Sequence, residues 1–452
     1  MDVIERSIRA WTMRNLTMVG KILIVKSLLV SKLSFIGSIM NLPTDFVNRV
    51  NKMFFKFVWG GSEKVKRTTL INGYDKGGLN MINLRDFLDS LKMNWIQKLN
   101  DPHKSKWKNI PLYFLSKTHL GMSIFNSNCN LKTLHFSAKD ILKEMPPFYY
   151  GLIELWLTIK TTRTLEQSKN WTNQIIWNND LIVSKGKTLY FKEWAKAGLI
   201  HVSDLFKKNG EIFSFKELKP HFDYPANACL QYIAVKNAIP TLWTNCKNNT
   251  VTTNHIVFEY NNTAIPLKKC TTKTFRAAIT CRTQTKPICE AFWNGQFKNL
   301  ELNWNDIWKN NIKKVKEPRL MTINWKIISN VYPTKIFLHK IGKEMNNICD
   351  KCNVIDYIEH FFYTCKKVNQ IWDEVNNILF QKYNDTIRIS VTDVLFGFKH
   401  EDELRCIEIN KIMGVGKMCI SKFRYGKHPN IISFLLYSEL QIRNLCDVND
   451  NT

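Results

Sequence analysis

Acidic residues are scarce in this chain: 38 Asp and Glu stand against 65 Lys and Arg in 452 residues, for a formal net charge of +27. A balance so one-sided draws polyanions and favours counterion release from phosphate backbones, although a merely solvated basic surface has the same composition. Long unbroken apolar runs are also missing. The most apolar segment, Ile22 to Met40, is interrupted by Lys26 and Lys32, so it is expected as a buried or amphipathic helix rather than a membrane span. Met1 to Arg14 is charged and has no apolar core, so no secretory leader is expected there and the cysteines are expected reduced, available to metal rather than to disulfides. No phosphate-loop frame occurs; Lys185-Gly186-Lys187 is too short to be one. His103, His135, His201, His221 and His255 lie far apart with no nucleophile motif near them and are expected as surface or satisfied core histidines. The apolar fraction of 44% is ordinary for a folded protein, and the length allows two to four domains.

What stands out against these absences is Cys349, Cys352, His360 and Cys365, spaced C-x2-C-x7-H-x4-C. Three thiolates and an imidazole suit tetrahedral zinc, and four protein ligands close the shell, so the expected role is structural rather than catalytic. The other nine cysteines (129, 229, 246, 270, 281, 289, 406, 419 and 446) form no C-x2-C pair, and ligand spacing is the diagnostic feature. The first pair is expected in a tight turn and the second at the head of a helix. Residues five apart lie about 140° apart around an ideal helix, so His360 and Cys365 need a break between them to face one metal.

The periodicity predicts a mainly α fold with small α+β parts. Thr17 caps a helix carrying Ile22, Val25, Leu29, Leu33 and Ile36 that ends at Pro43, and Thr44 caps the next, with Phe46, Val50, Met53, Phe54 and Phe57 inward and Gly60-Gly61 as its stop. Gly77-Gly78 marks a turn before an amphipathic helix over 84–99. Prolines 102, 111, 146 and 147 suggest a junction. Beyond it, from Trp171, short strands and helices alternate, with a hairpin around Lys185-Gly186-Lys187 and a short helix capped by Ser203. Val368, Ile371, Trp372, Val375, Ile378 and Leu379 predict a helix packed on the zinc loop, and a last helical segment covers 410–423, before a polar, frayed tail from Cys446. Four regions result: a helical bundle over 1–125, a mixed linker over 126–262, a basic Trp-containing region over 263–345, and a zinc segment with C-terminal helices over 346–452.

Positive charge collects in two places. Up to residue 70 there are twelve Lys and Arg against Asp2, Glu5, Asp45 and Glu63. Over 263–343, sixteen Lys and Arg face Glu290, Glu301, Asp306 and Glu317, with Trp293, Trp304, Trp308 and Trp325 among them. Such sign-asymmetric clustering is the footprint of a nucleic-acid surface; the alternative is solvated helix faces over a Trp-rich core.

Three ordered sets of residues resemble the reverse transcriptase of LINE-type, non-LTR retrotransposons. The first is Trp11-x-x-Arg14-x-Leu16-Thr17-x-x-Gly20-Lys21, then Leu42-Pro43, Phe57-x-Trp59 and Gly77-Gly78-Leu79, which is similar to that family's helical thumb. The second is Trp177-Asn178-Asn179 with Trp194-x-x-x-Gly198-Leu199, similar to its linker. The third is the Cys/His cluster with Trp325, Pro333-Thr334 and Trp372 around it.

The chain departs from the family where chemistry is concerned. Reverse transcription needs paired carboxylates that hold two metal ions, which the family carries as an aromatic-x-Asp-Asp motif. No two Asp are adjacent here, and no proline precedes an Asp as in the restriction-like nuclease of some relatives. The resemblance therefore implies a C-terminal, non-enzymatic part of such a protein, with zinc as a structural cofactor and with RNA and DNA, the element's own transcript first, as partners. It further implies a ribonucleoprotein in nucleus and cytoplasm, without membrane attachment. Arg14, Lys21 and Lys26 are the candidates for backbone contacts in the first region. Lys351, Lys366 and Lys367 are those beside the zinc, and Phe361 and Tyr363 those for base stacking. The competing reading is a retroelement-derived structural or protein-interaction module that zinc merely staples.

Overall fold

A computed structural model describes residues 1–118, 120–125, 128, 129, 131, 132, 134–159, 174–207, 210–218, 220–222, 228–244, 256–260 and 263–423. Trp171, His255, Cys246 and the tail from Cys446 lie outside them. The fold is mainly α; the described strands form only two two-stranded sheets. Several expected boundaries recur. Thr17 accepts from the Gly20 N–H and caps Met18–Ile24. Thr44–Trp59 stops at Gly60, which is left-handed at φ 65°, and Leu84–Leu99 spans its expected range. The expected apolar face of Ile22 to Ile36 is inward as far as Leu33, whereas Ile36 is exposed. No single described helix is long and apolar enough to cross a membrane.

Compactness divides the chain along different lines from the four consecutive regions. One unit gathers Met1–Lys32, Asp45–Leu84 and the chain from Thr283; the other holds Leu33–Thr44 and Arg85–Arg282. At the centre of the first unit is Pro318–Ile328, on which Leu320 to Trp325, Ile327 and Ile328 are all buried. Such all-round burial marks a core helix; it packs on Glu403–Phe423, Met18–Ile24 and Val391–Phe396. Trp325 lies 6.0 Å from the Trp59 ring, and its indole N–H donates to the Gly77 carbonyl at 3.0 Å. Glycine is required just there: Gly77 is at φ 77°, and a Cβ on Gly78 would meet the Asn72 carbonyl oxygen at 2.0 Å. Trp293 and Trp308 are buried too, with N–H donors satisfied by the Ile328 carbonyl and the Glu290 carboxylate. Trp293, Trp308 and Trp325 of the basic region are thus core, whereas Trp304 is half-buried and donates to Asn294 Oδ1 at 3.1 Å.

The second unit has its own core, which includes Trp156, Trp177, Trp194, Trp243, Phe258 and Phe275. The predicted hairpin is present as Val183–Ser184 paired with Lys187–Thr188. Lys185 and Gly186 turn it at φ 50° and 75°, the positive pair that a two-residue I′ turn demands. Ser203 does not cap: it lies inside the short turn Val202–Leu205, whose cap is His201 in a reciprocal box with Asp204. His135 caps Phe136–Lys143 by a single bond, its Nδ1 accepting from the Ser137 N–H at 3.3 Å. Both histidines terminate helical turns, a local backbone role that competes with any chemistry. Trp177 donates to the Leu199 carbonyl at 2.6 Å, so the two halves of the linker-like motif meet.

Candidate metal centre and its basic surroundings

The zinc loop begins as a narrow hairpin. Ile348 and Ile355 form an antiparallel bridge, the Cys349 N–H donates to the Val354 carbonyl at 2.8 Å, and the Asn353 N–H donates back to the Cys349 carbonyl at 2.9 Å. Asn353 closes the turn at φ 52°, a conformation asparagine tolerates better than most residues. This sets Cys349 and Cys352 side by side. The second pair is placed by a wide turn, His360–Thr364, in which the Cys365 N–H reaches the His360 carbonyl at 3.0 Å. The five-residue spacing is thereby resolved: a π-type turn, common at functional sites, winds less per residue than an α-helix, so residues five apart come round closer to one face. Cys365 then leaves the turn with extended backbone at φ −73°, ψ 129°, ahead of the helix Asn369–Tyr383.

The four donor atoms lie within 4.8 Å of one another. Cys365 Sγ is 3.9 Å from Cys349 Sγ and 3.7 Å from Cys352 Sγ. A disulfide is about 2.05 Å, so no disulfide joins these sulfurs. Zinc–sulfur bonds of about 2.3 Å in a tetrahedron put ligand sulfurs about 3.8 Å apart. The imidazole supplies an independent indication. His360 is buried, its Nδ1 faces Asp356 Oδ1 at 2.8 Å, and its Nε2 is buried with no hydrogen-bond partner. A buried ring nitrogen without a partner is costly, and a cation among the sulfurs would satisfy it. The residues fit zinc, held by a closed set of four.

Asp356 is the member of the site that spacing alone did not single out. It is buried; Oδ1 accepts a hydrogen bond from His360 Nδ1, while Oδ2 accepts one from the Lys335 N–H at 3.2 Å. Lys335 opens the helix Lys335–Lys340, capped by Thr334. Carboxylate, imidazole and metal so aligned fix which ring nitrogen is free to ligate. The available signal was Asp356 standing four residues before His360. The following helix docks as expected: Trp372 donates to the Phe362 carbonyl at 2.6 Å, and Val375 and Leu379 are buried.

Residues 285–372 match the family described as zinc-binding in reverse transcriptase, zf-RVT. The stretch so matched runs from Thr285 to Trp372 and holds all four ligands, Asp356, and the buried Trp293, Trp308 and Trp325. At its start Thr285 is bound to the N-terminal part of the same unit: its carbonyl accepts from Asn72 Nδ2 at 3.0 Å and its hydroxyl lies 2.9 Å from that of Thr68. No curated protein matches the chain.

The candidate nucleic-acid residues are placed unequally. Lys351, Lys366 and Lys367 are exposed around the metal centre. Arg14 is exposed, its guanidinium 5.1 Å from the Trp11 ring centre. Lys21 is half-buried, 5.7 Å above Phe57, and burial lowers its pKa. Lys26 donates to the Asn80 carbonyl at 3.3 Å, so it serves the fold as well. Phe361 cannot stack on a base: it is 0% exposed, packed against Tyr332 and Phe362. Tyr363 is half-buried and its hydroxyl is engaged by the Ile389 carbonyl at 2.6 Å. Exposed aromatic surface lies instead in a groove of about 1310 Å³ that reaches His360, where Phe292 and Tyr357 are open to solvent and Lys64, Lys66 and Lys340 line the wall.

Proposed function

We propose that this chain is a nucleic-acid-binding, non-catalytic part of a LINE-type retrotransposon reverse transcriptase. The zinc segment and its surroundings would grip template RNA, and the N-terminal helices would follow an RNA–DNA duplex. The observation that carries this reading is the coincidence of a zinc-binding segment of reverse-transcriptase type with exposed Lys351, Lys366 and Lys367 around it. Zinc with three thiolates has a net charge near −1, so these lysines, not the metal, attract phosphate. The polymerase step belongs to carboxylates that this sequence lacks, because no Asp-Asp pair occurs in it.

Filter binding of single-stranded RNA across a salt series tests the reading. Binding should weaken steeply with salt, and replacing Lys351, Lys366 and Lys367 by Ala should flatten the log–log slope by about 2, at about 0.7 per phosphate contact on single strands. Absent binding at low salt would defeat it. The interaction-module alternative draws on the apolar residues Ile288, Val354 and Ile355 exposed in the groove; salt-insensitive behaviour together with capture of a protein partner would favour it.

A further inference from the structure

A second, smaller pocket of about 440 Å³ opens in the same unit, away from the zinc ligands, between the start of Met18–Ile24, the end of Thr44–Trp59, and the helices Pro318–Ile328 and Glu403–Phe423. Four cations line it, Lys21, Arg319, Lys326 and Lys422, and none of its described lining residues is acidic. Burial lowers the pKa of Lys326, and the neighbouring Lys21 lowers it further. Like charges brought together out of water repel and lose hydration, so a wall that sets Lys21, Arg319 and Lys326 together with no acidic residue among its described lining is complementary to an anion. Thr17 and Ser421 add hydroxyls to the wall, and Trp59 gives it one aromatic side, while the Thr322 hydroxyl is spent on the Pro318 carbonyl at 2.8 Å. Hydroxyl and ammonium donors around a concave, cationic space match the oxygens of a phosphate group. The four cations come from three helices far apart in sequence, so no local motif announces them.

We propose that this pocket is a phosphate-binding site, seating one phosphate group between Lys21, Lys326 and Arg319. The site deepens the nucleic-acid reading where the phosphate belongs to a polynucleotide, and stands without it where the phosphate is free. The shared chemistry is a tetrahedral phosphate with at least one charged oxygen; its sources are inorganic phosphate, a strand terminus or a backbone diester.

The test uses the full chain with zinc bound. Inorganic phosphate should raise the melting temperature of the wild type at constant ionic strength, with chloride as the control, and Lys326→Met should abolish that rise. Two oligonucleotides of one sequence, with and without a 5′-phosphate, separate the sources. A terminal site shows tighter binding of the phosphorylated strand, and a backbone site shows equal binding of both; in either case Lys326→Met weakens binding about tenfold, the worth of one charge-assisted contact. Arg319→Gln, at the exposed rim, gives a second variant that leaves the core intact and should weaken phosphate in the same direction. No phosphate-dependent rise in the wild type, or an equal rise in both variants, overturns the proposal. RNA retention that survives this result and still depends on Lys351, Lys366 and Lys367 would leave the zinc-side reading standing.

Discussion

Asp356 shows most directly how one side chain sets the metal centre. It holds the His360 ring by Nδ1 and is itself held by the Lys335 N–H, so Nε2 is the nitrogen left for zinc. Asp356→Ala should lower zinc affinity about 10- to 100-fold, the usual cost of losing such a partner, read by competition against a chromogenic chelator; Asp356→Asn, which can still accept from Nδ1, should lose less. A second buried residue titrates in an accessible range. Lys417 is buried, donates to Asn324 Oδ1 at 3.1 Å and has Asp393 nearby, yet burial takes its pKa from 10.5 to about 7. Below pH 7 folded and unfolded chains both carry its proton; between about 7 and 10.5 only the unfolded chain does, so this residue's contribution to stability rises with pH across that window. Denaturant midpoints from pH 6.5 to 9 should therefore rise more in the wild type than in Lys417→Met, and parallel curves would refute the assignment.

Helix contacts make the next scale, and a pair of glycines on Glu403–Phe423 tests them. A Cβ on Gly414 would meet Leu320 Cδ2 at 2.4 Å, whereas one on Gly416 would meet Val375 no closer than 3.4 Å. Gly414→Ala should destabilise by about 1–3 kcal/mol through overpacking against Pro318–Ile328. Gly416→Ala should be neutral or stabilise by up to about 1 kcal/mol through helix propensity. Urea unfolding of both variants decides this. The elements legible in the sequence were those with local punctuation: Thr17, Gly60 and the Lys185-Gly186 turn act within a few residues, so composition revealed them. The zinc ligands were legible for the same reason, since all four stand in one short stretch at a diagnostic spacing. Phe361 was misplaced because spacing does not say that the wide turn buries both Phe361 and Phe362. The cap at residues 201–205 was misplaced because a histidine, an uncommon capping residue, took the role that serine usually fills.

At the scale of the whole molecule the hidden fact was the joining of distant segments. Nothing local announces that Trp325 bonds Gly77 or that Thr285 bonds Asn72 and Thr68; long-range packing alone places residues from before 85 and after 282 in one unit. This makes zinc a component of a unit that begins at residue 1, not of a short C-terminal appendage. The core of the other unit is built from residues between Met93 and Ala278 and includes none of the metal segment. Because zinc binds only the folded site, it stabilises the unit that holds it by about 4 kcal/mol when present at a thousand times its dissociation constant. At about 2–4 °C per kcal/mol for units of this size, chelation should lower one calorimetric transition by roughly 10 °C. The other transition should stay where it was. If both fall together on chelation, or neither moves, the metal is not a stabilising part of the N-terminal unit as this packing requires.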